Sequence, residues 1–381
     1  MVIVQVTTDN REPFREYHKT TPWFGTAPEA LLQGFGQLPG VKVHVIGCTQ
    51  RPMAASPEKL ADNIWFHSLH VPKIGWLRTG YQGCIRAVRR KARELRPDIV
   101  HGQGTERECS LSAVFSGYPN VLTVHGNMRL IEKVNHPKPF TYGWLAARLE
   151  RLTLPRSDGV LCITSYTKQA VSDLARHTWI VPNAVDESFF DVQPEPEKTP
   201  LILCVGNVMF RKNQIAFMRA LDPLRKNSDF SVCFLGTADE GNPYASEFFR
   251  ELKERPWCRY EGFADRAKLK TYFKRAAVLA LPSLEDNCPM AVLEAMAAGV
   301  SVMAAKVGGV PDLIEERRTG LLCDPKDAAS MRAAIGELAD DSELRKRLAA
   351  EARNEARRRF HPRAIAQRHV DIYRELLNAR S

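Results

Sequence analysis

Short apolar runs rich in β-branched residues alternate with helical stretches along this chain of 381 residues, and that alternation limits the folds it can adopt. Runs of this kind are typical of buried strands. Parallel strands need crossover helices that cover both faces of their sheet, so we expect an α/β protein with doubly wound sheets. The strand-like runs are 2–8, 41–48, 97–104, 120–127, 159–165, 178–183, 201–207, 230–237, 276–283 and 300–309, and the helical stretches include 28–37, 82–95 and 143–153.

The alternation is interrupted at residues 186–200, which hold three prolines and several charges and are typical of a linker. The chain is also too long for one ordinary core, since ~100–200 residues per domain is usual. We therefore predict two Rossmann-like domains, an N-terminal one over 1–185 and a C-terminal one over 186–360. The last predicted helix, 363–377, is amphipathic and is compatible with packing on either domain.

The net charge of +10 predicts attraction to an acidic partner, either a nucleic acid, an anionic membrane or a phosphorylated ligand. Part of this charge lies in two basic helical segments, 86–97 and 351–363. Ordinary solvated helix faces are the plainer interpretation of both segments. Because no helix-turn-helix, zinc finger or RNA-binding aromatic motif accompanies them, we expect no nucleic-acid partner.

The nine cysteines are scattered singly, and no two of them have CxxC spacing. Most lie in apolar runs, where cysteine acts as a small hydrophobic residue. No run approaches the ~18 apolar residues of a transmembrane helix. The first residues are typical of a strand rather than a signal peptide. We therefore expect a reduced, cytoplasmic protein.

The stretch PSLEDNCPMAVLEAMAAG, residues 282–299, raises the sharpest question about function. Its second half is helix-forming and mostly apolar, yet Glu294 shares a predicted helix face with Met290 and Leu293. A buried carboxylate without a partner is costly. Either a core arginine or lysine pairs with Glu294, or a ligand does.

The start of the same helix suits an anion. Pro289 is favoured in a first helical turn, and the free amides of Met290 and Ala291 would face a phosphate. One turn further on, Glu294 can accept two hydrogen bonds from a vicinal diol, such as that of a ribose. Asp286, in the loop before the helix, would bind another hydroxyl.

Several other candidates follow predicted strands, where open α/β sheets bind their ligands. Arg211 and Lys212 suit a phosphate, although exposed surface charge is the plainer interpretation. His125 is either a ligand contact or a structural histidine, and the glycine after it permits close backbone approach. Gly25 precedes a helix and would admit a phosphate or a sugar near its amides. The segment 101–106 lacks the third glycine of a dinucleotide motif and indicates a tight turn.

Together these segments resemble the retaining glycosyltransferases of family 4, which have the GT-B fold of two Rossmann-like doubly wound domains facing across a cleft. The match covers almost the whole chain. The segment PSLEDNCPMAVLEAMAAGVSVMAAKVGGVPDLI is similar to the family's E-x7-E segment with its following GG-x-P-E, VGNVMFRKN to its phosphate-binding loop, VPNAVDESFF to its P-N-G-V-D-x-x-x-F segment, and PDIVHGQG and VLTVHG to strand ends of its N-terminal domain.

The resemblance implies a role for each candidate and implies that the C-terminal helix, 361–381, completes the first domain. The implied catalytic residues are His125, Asp286 and Lys212. In the second domain, Glu294 would bind the nucleotide ribose and Asp286 the hydroxyls of the donor sugar. The diphosphate would be bound by Lys212, Met290 and Ala291, and the nucleotide sugar also by Gly206, Asn207 and Arg211. In the first domain, His125 would contact the reacting sugar, and Gly25 would lie by phosphate and acceptor.

The chain departs from the family pattern at three positions. Asp286 stands for the first glutamate of E-x7-E, Asn207 for a phosphate-binding arginine, and Ala184 for the glycine of P-N-G-V-D. The second departure shifts the neutralisation of phosphate toward Lys212 and Arg211. No D-x-D sequence occurs, so we expect no metal site.

The resemblance implies a metal-independent, retaining glycosyltransferase, of a kind used in polysaccharide biosynthesis. It would use a UDP- or GDP-type sugar as co-substrate, with no other cofactor, and a hydroxyl of a glycan, a lipid-linked sugar or a small molecule as acceptor. A lipid-linked acceptor would add peripheral contact with an anionic inner membrane face through 86–97. The alternatives are an epimerase or a sugar phosphorylase of the same fold, or a non-catalytic polyanion-binding protein. We expect 10–24 and 127–140 to bind the acceptor.

Overall fold

The computed structural model describes residues 1–136, 138–239 and 241–380. The chain divides into two compact units. The first combines Met1–Ala184 with Pro362–Ser381, and the second is Val185–His361. Each unit is built around its own parallel sheet, so the expected doubly wound architecture is confirmed.

The first unit holds an eight-stranded sheet of order β3-β4-β2-β1-β5-β6-β7-β8. All neighbours pair in parallel except β3, which runs antiparallel to β4. The order reverses between β1 and β5, and ligands of open α/β sheets bind at such a point, beyond the carboxyl ends of the strands. The strands are β1 (Val2–Val6), β2 (Lys42–Thr49), β3 (Lys59–Ala61), β4 (Ile64–His70), β5 (Ile99–Gln103), β6 (Asn120–Val124), β7 (Gly159–Cys162) and β8 (Thr178–Ile180).

Helices cover both faces of this sheet, as the two buried clusters on either side show. Ile3 belongs to one cluster and Val4 to the other, because successive strand residues point to opposite faces. The helices are α1 (Thr26–Gly36), α2 (Gln82–Leu95), α3 (Glu108–Val114), α4 (Met128–Asn135), α5 (Tyr142–Thr153), α6 (Ser165–Val171) and, at the end of the chain, α13 (Pro362–Asn378).

The last helix, α13, packs in the first unit and lies against α1. The approach is close enough to require glycine at one point. A Cβ added to Gly34 would lie 2.0 Å from the carbonyl oxygen of Pro362. The amphipathic pattern of 363–377 is compatible with packing on either domain, and in the structure the helix packs in the first unit.

The second unit holds a six-stranded parallel sheet of order β11-β10-β9-β12-β13-β14. Its strands are β9 (Leu201–Val205), β10 (Ser231–Leu235), β11 (Cys258–Tyr260), β12 (Val278–Leu281), β13 (Ser301–Ala305) and β14 (Leu321–Cys323). Its helices are α7 (Gln214–Arg225), α8 (Pro243–Lys253), α9 (Arg266–Arg275), α10 (Met290–Ala298), α11 (Ala328–Asp340) and α12 (Ser342–Arg359).

The segment 186–200 is not a free linker along its whole length. A 3₁₀ turn over Glu187–Phe189 begins it, and both Phe189 and Phe190 are buried. The ring of Phe189 packs edge-on against Phe273 of α9, with 5.9 Å between ring centroids. The prediction therefore fails for the first residues of this segment, because their apolar side chains anchor them to the second unit.

Candidate functional site

Helix α10 carries three of the sequence candidates in the second unit, Met290, Ala291 and Glu294. It begins at Met290 after Pro289, and it ends where Gly299 adopts a left-handed φ of 75°. From Val292 to Ala298 every residue is buried. The helix is therefore enclosed on all sides from its third residue onward, as its mostly apolar sequence indicates.

Glu294 lies in this enclosed part of α10, and only 7% of its surface is exposed. Among the described residues, no side chain or backbone group forms a hydrogen bond or salt bridge with its carboxylate. Burial raises the pKa of Glu294 to about 7, an effect that Arg266 opposes and Asp186 reinforces. A buried carboxylate without a partner costs several kcal/mol when ionised, so Glu294 is a candidate for ligand binding.

The cation that acts on Glu294 has another partner. Arg266 Nη1 lies 2.9 Å from Asp186 Oδ2. The other carboxylate oxygen of Asp186 accepts a hydrogen bond of 3.0 Å from the backbone amide of Ser188. Arg266 therefore forms its salt bridge with Asp186, and it does so with 36% of its own side chain exposed. The sequence contains no signal for this pairing, since Arg266 and Asp186 lie 80 positions apart.

The first amides of α10 are available to an anion. Pro289 provides no side-chain cap, and its carbonyl oxygen accepts bonds of 3.1 and 3.4 Å from Val292 and Leu293. Over the ranges that the structure describes, no protein group accepts from the amides of Met290 or Ala291. Both residues are partly exposed. The predicted anion position therefore lies about one helical turn from the Glu294 carboxylate.

Lys212 and Asp286 were expected to bind different parts of a donor, and they bind each other. Lys212 Nζ lies 2.6 Å from Asp286 Oδ2. Arg211 is tied to the same loop, with Nη1 2.8 Å from the carbonyl oxygen of Glu285 and 3.8 Å from Asp286 Oδ1. The structure thus brings the basic loop after β9 and the acidic loop after β12 together.

Glycines shape this site through close approach rather than through flexibility. A Cβ added to Gly206 would lie 3.4 Å from Cδ and Cε of Lys212, so the lysine stem lies over the glycine. Gly308 has a φ of 52°, and a Cβ there would lie 2.0 Å from the carbonyl oxygen of Asp286. The neighbouring amide of Gly309 donates to that oxygen at 3.0 Å. This close approach of Gly308 and Gly309 therefore holds the Asp286 loop in place.

Asn207 occupies an exposed position after β9 and is engaged by its own unit. Its Oδ1 accepts a bond of 3.3 Å from the amide of Thr237, and its carbonyl oxygen accepts one of 3.0 Å from Gln214. The carboxamide of Asn207 is uncharged, so it does not replace the positive charge of the family's arginine. The cations of the loop after β9 are therefore those of Lys212 and Arg211, as the sequence departure at this position suggests.

In the first unit, His125 follows β6 and is half-buried. Its Nε2 lies 2.8 Å from Gln103 Oε1, and the side chain of Asn183 also bonds to the ring. Burial lowers the pKa of His125 to about 4, against a smaller opposing effect of Asn183, so the ring is neutral at pH 7. Sequence reasoning missed Gln103, although it lies in the quoted segment 101–106.

Gly25 is exposed and caps the start of α1, where its carbonyl oxygen accepts a bond of 3.0 Å from the amide of Glu29. Its φ of −70° is open to any residue, so the backbone does not require glycine. The turn expected at 101–106 is present, with Gly104 at a left-handed φ of 87°. Within the described residues there is no cluster of three metal-binding side chains and no helix long and apolar enough to cross a membrane.

Two family models together match most of the chain. The model of "Glycosyl transferases group 1" matches residues 185–355, and that of "Glycosyltransferase Family 4" matches residues 29–189. The first match includes Lys212, Asp286 and Glu294, and the second includes His125.

Individual proteins agree with this assignment. The chain is 23% identical over 296 residues to glycogen synthase of Mycobacterium tuberculosis, covering 74% of this chain and 69% of that protein. It is 31% identical over 189 residues to D-inositol 3-phosphate glycosyltransferase of Xylanimonas cellulosilytica, covering 49% of this chain and 44% of that protein.

Solved structures share the fold at lower identity. Sucrose-phosphate synthase from Thermosynechococcus elongatus superposes with a TM-score of 0.77 at 18% identity, over 100% of both chains. HepE of Anabaena, in complex with UDP and glucose, superposes with a TM-score of 0.71 at 16% identity, over 98% of this chain and 100% of that one.

Proposed function

Since the chain belongs to the glycosyl transferases of group 1, we propose that it moves a sugar, with retention of configuration, from a UDP- or GDP-type nucleotide sugar to an acceptor hydroxyl. The observation that carries this proposal is Glu294. Its carboxylate is buried without a protein partner, one turn beyond amides that are free for a phosphate. A nucleoside diphosphate offers both missing groups, because its ribose diol donates hydrogen bonds and its phosphates accept them.

The same geometry supports a means of leaving-group stabilisation. The diphosphate gains charge as the bond to the sugar breaks, and donors already aimed at that charge lower the barrier. Lys212 and the amides of Met290 and Ala291 are the donors in the second unit. We propose that they act without a metal ion, in keeping with the missing D-x-D sequence.

Donor binding requires an exchange of partners at Asp286. In the structure, the carboxylate of Asp286 is paired with Lys212 at 2.6 Å. We propose that the diphosphate takes Lys212 and that a sugar hydroxyl then takes Asp286. Each charged group leaves one charge-assisted bond for another, so a ligand that offers both phosphate and sugar is bound more tightly than one that offers phosphate alone.

His125 has a neutral ring, which can both donate to and accept from the hydroxyls of an uncharged sugar. We propose that it bonds to a hydroxyl of the transferred sugar, while the acceptor hydroxyl attacks on the face that the diphosphate leaves. No protein nucleophile takes part in this scheme. UDP is the first nucleoside diphosphate to test, since HepE, which shares the fold, has been solved with UDP and with UDP-glucose.

The first unit has a basic surface that is compatible with an acceptor held in a membrane. Residues 73–96 hold eight basic residues and one acidic residue, a net charge of +7 against +10 for the whole chain. Of these basic side chains, only Lys91 forms a salt bridge within the described part of the protein. Ile74 is 73% exposed beside them, and it lines a cavity of about 640 Å³ together with Arg86 and Arg90. We propose peripheral contact of this surface with anionic lipid.

Turnover of a panel of UDP- and GDP-sugars, with and without acceptors, tests the proposed function. Transfer to an acceptor with release of the nucleoside diphosphate is expected. An epimerase would convert the donor without acceptor, and a sugar phosphorylase would require phosphate instead. Absence of turnover together with salt-sensitive polyanion binding would favour the non-catalytic alternative.

A further inference from the structure

A line of buried polar side chains crosses the first unit from α13 to the end of β6. Tyr373 Oη lies 2.6 Å from His101 Nδ1. His101 Nε2 lies 2.7 Å from Thr123 Oγ1 and 3.5 Å from Gln103 Nε2. Gln103 Oε1 in turn lies 2.8 Å from His125 Nε2. Tyr373 and His101 are fully buried and Gln103 is 6% exposed, so water does not compete for these bonds.

The orientation of the Gln103 carboxamide gives the hydrogen bonds along this line their direction. Burial lowers the pKa of His101 well below its usual range, and that of His125 to about 4, so each ring carries one N–H at neutral pH. The carboxamide oxygen of Gln103 can only accept, which places the hydrogen of His125 on Nε2. The amide nitrogen of Gln103 can only donate, which leaves Nε2 of His101 bare. The hydrogen of His101 is then on Nδ1, where the oxygen of Tyr373 accepts it.

We propose that Tyr373 is a positioning residue that sets the tautomer of His125 through His101 and Gln103. Without the tyrosine oxygen, His101 would move its hydrogen to Nε2, where Thr123 Oγ1 accepts it at 2.7 Å. An N–H of His101 would then face the amide N–H groups of Gln103. The carboxamide of Gln103 would rotate so that its oxygen and nitrogen exchange places, which removes this repulsion. Its nitrogen would then donate to Nε2 of His125. The hydrogen of His125 must therefore move to Nδ1.

The tautomer decides which nitrogen of His125 donates and which accepts, and thus which orientation of a sugar hydroxyl the ring can bind. In this respect the inference rests on the proposed function, which places His125 at the transferred sugar. A purely structural role is the alternative. The rings of His101 and Tyr373 also pack edge-to-face, with 5.8 Å between their centroids, and Phe would preserve that packing.

The experiment compares Tyr373→Phe with Tyr81→Phe in the full-length protein labelled with ¹⁵N-histidine. Tyr81 is also buried in the first unit, at 4% exposure, and its hydroxyl has no hydrogen-bond partner among the described residues. Long-range ¹H–¹⁵N correlations report which ring nitrogen is protonated, and His125→Gln identifies the signals of His125. We expect the hydrogen of His125 on Nε2 in the parent and in Tyr81→Phe, and on Nδ1 in Tyr373→Phe.

This measurement needs no substrate, so it separates the inference from the proposed function. A parent with the hydrogen of His125 on Nδ1, or an unchanged tautomer in Tyr373→Phe, overturns the inference even if the enzyme transfers sugar. In turnover assays we expect Tyr373→Phe to lower kcat about tenfold while the donor KM stays constant, because the ring is misdirected rather than lost. A lowered kcat with an unchanged tautomer also counts against it. A protein that shows the shift but turns over no nucleotide sugar leaves the inference standing and removes the proposed function.

Discussion

Lys212 and Asp286 form a salt bridge of 2.6 Å, although the resemblance implies that they bind different parts of the donor. Both side chains are largely buried, with 16% and 11% of their surfaces exposed. The pair keeps each charge satisfied until a ligand replaces both partners. A ligand with phosphates but no sugar would free Asp286 without giving it a new partner.

Substituting Asp286 separates these two halves of the donor. Asp286→Asn removes the charge that holds Lys212, so we expect affinity for a nucleoside diphosphate without sugar to hold or to rise by up to about fivefold, since a partly exposed ion pair contributes about 1 kcal/mol. Transfer should fall by about 100-fold, because the charged partner of the sugar hydroxyl is lost. Calorimetric titration with UDP and with UDP-sugar measures the first effect, and initial rates measure the second.

Glu285→Gln is the matched control for that variant. Its carboxylate lies 3.3 Å from Arg211 Nη1 and is exposed, so both the affinity and the rate should stay close to those of the parent. A drop in UDP affinity in Asp286→Asn as large as the drop in UDP-sugar affinity would show that Asp286 orders the phosphate site instead of binding sugar.

Removal of metal ions tests how the diphosphate is neutralised. Lys212 and the amides of Met290 and Ala291 supply the positive potential in our proposal, so the initial rate should be the same with excess EDTA as without it. Addition of Mg²⁺ or Mn²⁺ to the treated enzyme should not raise it. Complete loss of activity in EDTA, restored by either ion, would contradict this account of the leaving group.

The sequence predicts well where local pattern decides the structure. The strand ends that carry His125 and Lys212 were placed correctly, because short β-branched runs and the loops after them depend on neighbouring residues. The strands that pattern missed are short or mixed. β11 and β14 have three residues each, and β4, IWFHSLH, interrupts its apolar side chains with histidine and serine.

Partners far apart in the chain could not be predicted in the same way. Asp186 meets Arg266, and Tyr373 meets His101 across 272 positions, because the tertiary fold brings them together. A single sequence contains no local signal for such a pair. The motif analysis therefore found Glu294 and its demand for a partner, but only the structure shows that the nearby cation is engaged by Asp186.

Charge reversal on α2 tests the membrane surface. Arg86→Glu with Arg90→Glu removes two unpaired cations, so binding to anionic vesicles should fall at least about 30-fold, from ~1 kcal/mol for each basic residue near the surface. Co-sedimentation with anionic and with neutral vesicles measures it. The same double reversal at Arg357 and Arg358 of α12, where Arg358 already pairs with Glu355, should have little effect. Equal recovery of the parent with anionic and neutral vesicles would refute the proposal.

Glu294→Gln tests the observation on which the proposed function depends. The substitution keeps the shape of the side chain but removes its charge and one acceptor. Charge-assisted hydrogen bonds contribute ~1.5–3 kcal/mol, so affinity for the nucleoside diphosphate should fall by ~10–100-fold. Titration calorimetry measures the loss. Glu150→Gln is the matched control, because Glu150 is fully buried but accepts bonds from Thr105, Met128 and Arg129, and it should leave nucleotide affinity unchanged.

The stability of the same two variants separates a ligand-binding carboxylate from a structural one. Glu294 has a pKa of about 7 in the folded protein, above its ordinary value, so the folded state binds more protons than the unfolded state between these values. The parent should therefore lose stability as pH rises through this window, by at most about 3 kcal/mol. Glu294→Gln has no such group. The free energy of unfolding of this variant, measured in urea and taken relative to the parent, should therefore increase from pH 5 to pH 8. Glu150→Gln should be destabilised at every pH, since it loses satisfied bonds. A Glu294→Gln variant that binds nucleotide normally but unfolds more easily at pH 8 would make Glu294 a structural residue.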